Sequence, residues 1–173
     1  AIEMVSIARG ESVDQLKAEC SLLTSFNVNS ARRVDEELLD GLLCFGEHGQ
    51  AVAITPFTLA GAMSPVTVAG ALVQQTAEAL GVIALSQMAN PGAPVLFGGF
   101  TSNVDMKSGA PAFGTPEYVR ATQMTGQMAR YYGLPLRSSN ANAANCPDAQ
   151  AAWESAFSLW ACVSSQTNIV YHA

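Results

Sequence analysis

The fold is decided by residues 51–98, AVAITPFTLAGAMSPVTVAGALVQQTAEALGVIALSQMANPGAPVLFG, which contain one complete strand–helix–strand unit. Short apolar runs at Ala51–Thr55 and Pro94–Gly98 have the length and residue types of buried strands. The apolar stretch from Pro65 to Ala89 lies between them and is long enough for a helix of several turns. A helix that connects two such strands predicts a right-handed crossover and a parallel pair of strands.

The same unit recurs along the chain. Three further strand-like runs lie at Ser21–Asn27, Leu134–Ser138 and Asn168–Tyr171. The loops that enter the strands are short, whereas those that leave them are long and rich in Gly, Ser, Thr and Asn. These long loops span Thr55–Ser64, Gly98–Thr115 and Ser138–Cys146. In parallel α/β folds the ligand binds at the carboxyl ends of the strands, so the long loops favour an enzyme with its site on that face.

Nucleotide-binding α/β folds are disfavoured because their signatures are missing. Neither GxGxxG nor GxxxxGK[ST] follows any predicted strand. The better parallel-sheet candidate is a (β/α)8 (TIM) barrel, of which five strands supply a little over half. We therefore predict an α/β fold in which residues 1–173 form a single domain, an incomplete TIM barrel of about five parallel β/α units. The helix-like start and strand-like end of the chain indicate a piece of a longer barrel.

The helix predicted from Pro65 to Ala89 is apolar over most of its circumference. Such a helix is normally buried on all sides, so we expect a second layer of protein over it. Its glutamines, its two glycines and Glu78 favour a buried helix over a membrane span. Charged residues make up only 13% of the chain, against about 25% in soluble domains. We therefore expect contacts with another subunit or with the rest of a longer chain, and a homo-oligomer.

The charge pattern argues against nucleic acid as a partner. The net charge is −6 and no basic run exceeds Arg32–Arg33, whereas phosphate binding needs a clustered cationic surface. The four cysteines form no CxxC pair and have no histidine at a metal-ligand spacing, so no metal site is predicted. Cys44 and Cys162 lie among apolar residues and are predicted to be buried free thiols. This use of cysteine is typical of a reducing compartment and predicts a cytoplasmic protein.

Polar side chains gather where the predicted strands end. The candidate substrate-binding residues are Asn27, Thr55, Thr101, Asp105, Arg137, Ser138, Asn140, Asn142 and Tyr171. The densest run, RSSNANAANC at 137–146, places asparagines among small residues, so that amide groups and backbone can approach a ligand closely. Asn and Ser are also the commonest turn formers, and both interpretations stay open. His172 is either a proton shuttle or an incidental histidine, and Asp105 either balances a cationic substrate or pairs with Lys107.

No catalytic residue can be assigned from the sequence. It contains no Ser-His-Asp order, no HExxH motif and no paired catalytic carboxylates. Tyr118, Tyr131 and Tyr132 fall in a predicted helix and are expected to be packing residues. Residue types and spacing therefore predict a parallel-barrel enzyme whose pocket is polar and poor in carboxylates.

Several blocks of the chain are similar to one enzyme family. Residues 55–75 (TPFTLAGAMSPVTVAGALVQQ), 90–99 (NPGAPVLFGG), 129–135 (ARYYGLP) and 146–154 (CPDAQAAWE) resemble the trimethylamine methyltransferase family, the MttB-like corrinoid-dependent methyltransferases. The first block is the most specific, and the resemblance covers nearly the whole chain. Members of this family are (β/α)8 barrels longer than 173 residues, so the chain resembles their central part.

The resemblance implies an enzyme that moves a methyl group from a quaternary or tertiary amine to the Co(I) of a corrinoid (cobalamin). A separate corrinoid protein carries that cofactor, so none is expected to bind this chain directly. The reaction is an in-line displacement, in which the enzyme mainly positions a small cationic substrate. Dipoles, carboxylates or aromatic faces suit such a cation. The favoured contacts are then Asp105, Asn140, Asn142 and Tyr171.

One departure from the family bears on the substrate. The trimethylamine enzymes of methanogens carry pyrrolysine in the barrel, and its position is expected near Ser138–Asn145, where this chain has ordinary residues. The resemblance therefore implies a non-pyrrolysine member that acts on a quaternary amine such as glycine betaine.

Two alternatives belong to other functional classes. An unrelated lyase or aldolase on the same barrel would need a Schiff-base lysine or metal-binding carboxylates at the strand ends, and Lys107 is the only lysine after residue 17. A non-catalytic module that binds small cations would need only the pocket. Turnover of a methylated amine distinguishes the methyltransferase from both.

Overall fold

The computed structural model describes residues 1–172 and has helices packed on one side of a largely parallel sheet. The elements in chain order are α1 (Ile2–Arg9), α2 (Val13–Leu16), β1 (Leu23–Val28), α3 (Glu36–Glu47), β2 (Ala51–Ala60), α4 (Val68–Ala89), β3 (Val95–Gly98), β4 (Phe100–Val104), β5 (Pro111–Ala112), α5 (Pro116–Tyr131), β6 (Leu136–Ser139), α6 (Ala149–Ser164) and β7 (Ile169–Tyr171). All five predicted strands are present, with ends shifted by a few residues.

The parallel strands are neighbours in the order in which the chain makes them. β1 pairs with β2, β2 with β3, β3 with β6 and β6 with β7, and all four pairs are parallel. A doubly wound sheet would reverse its strand order, whereas a barrel adds each new strand beside the last. The predicted parallel α/β class is therefore confirmed. Closure into a (β/α)8 barrel stays a prediction.

The prediction of one long polar loop over Gly98–Thr115 is partly wrong, because this segment contains the strand β4. β3 and β4 are two halves of one path along β2, with Ile54 opposite Phe97 and Phe57 opposite Phe100 in the same register. The short strand β5 then turns back antiparallel on β4. The polar residues of β4 make this strand resemble a loop in the sequence, although their side chains bond to neighbouring parts of the protein.

Glycines at positions 98 and 99 allow the path formed by β3 and β4 to lie close to β2 and to α5. A Cβ on Gly98 would lie 2.1 Å from Thr55 Oγ1 and 2.6 Å from the Ile54 carbonyl oxygen. A Cβ on Gly99 would lie 2.5 Å from Thr125 Cγ2 of α5. Side chains at these two positions would therefore push the strand away from β2 and from α5.

The helix starts follow local capping chemistry. α5 begins after Thr115, which accepts a hydrogen bond from the Tyr118 amide. α4 begins later than the predicted start at Pro65, because Thr67 accepts a hydrogen bond from the Gly70 amide. α6 begins after Asp148, which accepts from the Ala151 amide. Thr67 and Asp148 thus each accept a hydrogen bond from a backbone amide of the first helical turn, which has no partner within the helix.

Strand alternation divides the apolar residues between the two faces of the sheet. The helix-facing side holds the main core, which includes Phe26, Val28, Leu42, Val52, Ile54, Val82, Ile83, Phe97 and Leu136. The opposite, inner face holds a smaller cluster built from Ala51, Ala53 and Leu96 with Leu23 and Ile169. Residues at alternate positions of each strand therefore reach the inner face, with apolar ones toward the amino ends of the strands.

α4 is covered on one side only, which corrects the expectation of burial all round. Gln75 and Glu78 are buried, whereas Val73 and Met88 are 71% and 82% exposed. By length and composition alone the helix could also cross a membrane. Its buried polar side chains bond within the protein: Gln75 donates to Thr125 and accepts from Thr101.

The thiols differ from the prediction at one position. Cys162 is buried, as expected, but Cys44 is exposed, because it lies on the side of α3 that faces away from the sheet. Burial raises the pKa of the Cys162 thiol, which donates to the Ser139 carbonyl oxygen at 3.4 Å. The buried Tyr118 hydroxyl donates to the same oxygen at 2.6 Å, which confirms its packing role. Together they fix the end of β6.

Replacing Gln75 by Ala should destabilise the full-length protein. The substitution leaves the Thr101 and Thr125 hydroxyls without their bridging amide, at a cost of about 2 kcal/mol in the free energy of unfolding. Gln127→Ala, at an exposed position of α5, is the matched control and should change the free energy of unfolding by less than about 0.5 kcal/mol. Urea denaturation measures both, and equal effects would contradict the buried network.

Tyr118→Phe should cost about 1 kcal/mol near neutral pH, because the Ser139 carbonyl loses a donor. Burial raises the pKa of the Tyr118 phenol well above its ordinary value, so the folded protein keeps a proton that unfolded tyrosine releases above about pH 10. The advantage of the wild type should therefore be complete below that pH and shrink above it. Urea denaturation of both proteins from pH 8 to 11 checks this, and a constant difference would contradict it.

Candidate substrate site at the carboxyl ends of the strands

A cavity of about 430 Å³ opens on the inner face of the sheet, at the carboxyl ends of the strands. Its lining residues come from every parallel strand path: Ser25, Asn27, Thr55, Phe57, Phe100, Arg137, Tyr171 and His172. Two larger grooves, of about 550 and 520 Å³, flank α4 on the helix side of the sheet. Only the inner cavity lies where parallel α/β folds bind their ligands.

The register of the sheet brings these side chains together. Asn27 lies opposite Thr55, and the same level of the sheet continues through Gly98 to Arg137. Tyr171 lies one inward position further along, opposite Ser139. Because inward positions alternate, the polar side chains at this level lie next to the apolar residues of the same face.

Arg137 is the most unusual group in the cavity wall. The residue is 4% exposed, and its guanidinium carbon lies 4.1 Å from the centre of the Tyr171 ring and 5.8 Å from that of Phe100. Its Nε and Nη1 atoms are buried without a hydrogen-bond partner among residues 1–172. None of the salt bridges within that range involves it. Burial lowers the pKa of Arg137, but a guanidinium stays charged in proteins.

Aromatic rings form the other part of the wall. Phe57 and Phe100 stack with their centres 5.3 Å apart, and Phe113 extends the cluster at 5.2 Å from Phe100. His172 lies 6.4 Å from Phe100 and 6.1 Å from Tyr171, centre to centre. Ring faces of this kind attract quaternary ammonium groups, which keep a positive charge but cannot donate hydrogen bonds.

Four of the nine predicted substrate-binding residues line the cavity: Asn27, Thr55, Arg137 and Tyr171. Two others face the helices. Thr101 donates to Gln75 of α4, and Ser138 is buried beside Tyr118 and Cys162. Each lies one residue away from an inward position, so alternation turns it to the opposite side of the sheet.

The other three predicted residues organise loops. Asp105 accepts from the Lys107 amide and the Ser108 hydroxyl, which lowers the pKa of its carboxyl, and it makes no ion pair with the Lys107 side chain. Asn140 donates to Ser155, and Asn142 donates to the carbonyl of Ala151. For the two asparagines, the structure favours the turn-forming interpretation, since both tie the loop after β6 to α6.

Sequence reasoning missed Ser25, Phe57 and Phe100 as lining residues, and it left open whether His172 has a role in the site. Ser25 could have been found, because it lies two residues before Asn27 in the same strand and so shares its face. Phe57 and Phe100 could not, because both lie where loops were expected. Within residues 1–172 there is no group of three or more His, Cys, Asp or Glu side chains suited to a metal ion.

Comparisons with known proteins identify one enzyme family. The chain matches the trimethylamine methyltransferase (MTTB) family over residues 1–173. It is 36% identical over 173 residues to a glycine betaine methyltransferase of Desulfitobacterium hafniense (strain Y51), covering 99% of this chain and 36% of that protein. It is 30% identical over 173 residues to the trimethylamine methyltransferase MttB of Desulfitobacterium hafniense (strain DSM 10664 / DCB-2), covering 97% and 34% respectively.

A third relative is a proline betaine:corrinoid methyltransferase of Eubacterium limosum, 32% identical over 135 residues, which are 78% of this chain and 28% of that protein. The chain thus spans about a third of the length of the relatives that it matches. The match to the family runs through every strand and helix described above. The chain therefore belongs to the trimethylamine methyltransferase family.

Proposed function

We propose that the protein to which this chain belongs moves a methyl group from a quaternary or tertiary amine to the Co(I) of a corrinoid carried by a separate protein. The observation that carries the proposal is the aromatic cavity at the carboxyl ends of the strands, in a chain of this family. Relatives named for glycine betaine, proline betaine and trimethylamine support the substrate class. The corrinoid is then a co-substrate, and none is held by this chain.

The cavity suits the chemistry of such a transfer. In an in-line displacement the C–N bond breaks, the electron pair stays on nitrogen, and the methyl group passes to the nucleophilic cobalt. A quaternary ammonium leaves as a neutral amine and needs no general acid, whereas a tertiary amine has to be protonated on nitrogen before the C–N bond breaks. The protein's task is to hold the cation in line and to exclude water. Phe57 and Phe100 offer ring faces to the ammonium, and Asn27 and Thr55 offer polar atoms beside them.

The lyase or aldolase alternative has less support. Schiff-base chemistry requires a lysine in the pocket, and neither Lys17 nor Lys107 lines the cavity. The non-catalytic module for small cations uses the same cavity and differs only in lacking turnover. A cytoplasmic location, a homo-oligomeric state, and the absence of nucleic-acid and membrane partners remain part of the proposal.

Methyl transfer by the full-length protein tests the proposal directly. The protein is mixed with cob(I)alamin and glycine betaine or trimethylamine under anoxic conditions, and formation of methylcobalamin is followed by absorbance. We expect the methylated product to accumulate with at least one of these amines and not without protein. Binding of the amine without any methylation of cobalt would favour the cation-binding module instead.

Tyr171→Ala should lower kcat/KM for the active amine by about tenfold, because it removes an aromatic wall of the cavity and the ring against which Arg137 stacks. Tyr131→Ala is the matched control, since Tyr131 is 80% exposed on α5 and lies outside the cavity. The control should retain wild-type kinetics. Equal loss of activity in both variants would place the site elsewhere.

A further inference from the structure

The exposed face of α4 carries no charged or polar side chain. The exposed residues of this helix, here called the α4 ridge, are Ala69, Val73, Ala77, Gly81, Ala84, Leu85, Met88 and Ala89. The polar side chains of α4 are buried or bond within the protein, namely Gln74, Gln75, Thr76, Glu78, Ser86 and Gln87. A helix that meets water has the opposite pattern, with its polar residues outside. The pattern indicates that the α4 ridge is covered in the whole protein.

Further units of a longer barrel would not cover the α4 ridge. α4 already packs between α3 and α5, so the positions on both sides of it are filled. Among residues 1–172, β1 and β7 each pair with one other strand. Additional β/α units would therefore join the sheet at these two edges, and the cover of α4 lies outside the ring of helices.

A lipid surface fits this face poorly. The neighbouring helix α3 has four acidic residues, Glu36, Glu37, Asp40 and Glu47, and no basic one. Helices that lie on membranes present Lys and Arg beside their apolar face, because membrane surfaces are negatively charged. The surroundings of the α4 ridge therefore favour a protein partner.

The α4 ridge lies beside a groove that can accept another ridge. This groove has a volume of about 550 Å³ and is formed by α4, Val28 and the loop after β1, with Val34 in its wall. Gly81 widens it, since a Cβ at this position would meet no other atom within 4 Å. A glycine inside a helix costs stability, and no side chain among residues 1–172 uses the space that it leaves. A face with a ridge and a groove side by side is self-complementary, as a two-fold interface requires.

The size of this face suits a dimer. α4 has 22 residues. At 1.5 Å per residue it is about 33 Å long, and with neighbouring helices about 9 Å away on each side the face covers roughly 600 Å². Stable interfaces of standard size bury about 800 Å² on each partner. The α4 ridge and its flanks therefore supply most of the area that a symmetric dimer needs.

We propose that a second copy of this chain packs on the α4 ridge, through a two-fold interface in which the ridge of each copy lies in the groove of the other. This inference rests on the homo-oligomeric state proposed above and not on methyl transfer. The interface lies on the helix side of the sheet, whereas the candidate site lies on the inner face. Pairing therefore leaves the cavity of each copy accessible.

Methionine oxidation tests the wild-type, full-length protein. Met88 of the α4 ridge and Met106 of the loop after β4 are 82% and 73% exposed in one copy, so hydrogen peroxide should oxidise both at similar rates in a monomer. Sedimentation velocity shows the concentrations at which the protein is a dimer, and mass spectrometry measures each sulfoxide. In the dimer we expect Met88 to react at least about tenfold more slowly than Met106, because only Met88 is covered.

A substitution in the groove tests the same contact from the other side. Gly81→Leu meets no atom near its Cβ within one copy, but it fills the space that the ridge of the second copy occupies. It should raise the dissociation constant of the dimer by about 100-fold or more. Arg120→Leu is the control, because it adds the same side chain at an exposed position of the neighbouring helix α5, and it should leave the dissociation constant unchanged. Circular dichroism confirms that both variants are folded.

The other possible occupants give different results. A full-length protein that stays monomeric with Met88 protected would overturn the proposal, because another segment of the longer chain would then cover the α4 ridge. A monomer that binds phosphatidylcholine vesicles, and loses this binding on Met88→Lys, would overturn it in favour of lipid. A dimer that oxidises Met88 and Met106 alike, or that Gly81→Leu leaves intact, would have its interface elsewhere, and the homo-oligomeric state would stand.

The inference and the proposed activity can fail separately. A dimer that protects Met88 but methylates no cobalt would retain the interface and contradict the methyltransferase function. Methyl transfer by a protein that remains monomeric would do the reverse. If Gly81→Leu does not fold, the oxidation rates of Met88 and Met106 in the wild type still decide the question.

Discussion

The close approach of the third strand path to β2 is the constraint on which the site depends. Gly98 lies so near Thr55 and Ile54 that a Cβ there could not be accommodated without a shift. From Val95 to Asn103 this path pairs with β2 in one unbroken register. Phe57 and Phe100 therefore lie opposite each other, past the apolar residues of the inner face. The aromatic wall of the cavity is thus a consequence of strand pairing and not of loop conformation. A wall built on strands is also more rigid than one built on loops.

The two faces of the sheet have different roles, since the outer face forms the main core and the inner face lines the cavity. The outer face buries the large apolar side chains against α3, α4 and α5, and the buried Gln75 network lies between α4 and the sheet. The inner face carries apolar residues near the amino ends of the strands and polar or aromatic residues near the carboxyl ends. Most of the apolar surface whose burial stabilises the fold therefore lies away from the cavity. The side chains at the inward positions can then serve ligand binding without loss of that burial.

The sequence was sufficient for the five parallel strands, because short apolar runs between helices leave few alternatives. It could not reveal β4, whose Thr101 and Ser102 bond to α4 and to the Ala112 carbonyl, so its polarity imitates a loop. In the site, the predicted polar residues line the cavity where strand alternation turns them inward, as for Asn27 and Arg137. Ser138 shows the limit of that reasoning, since one step along the same strand faces the helices.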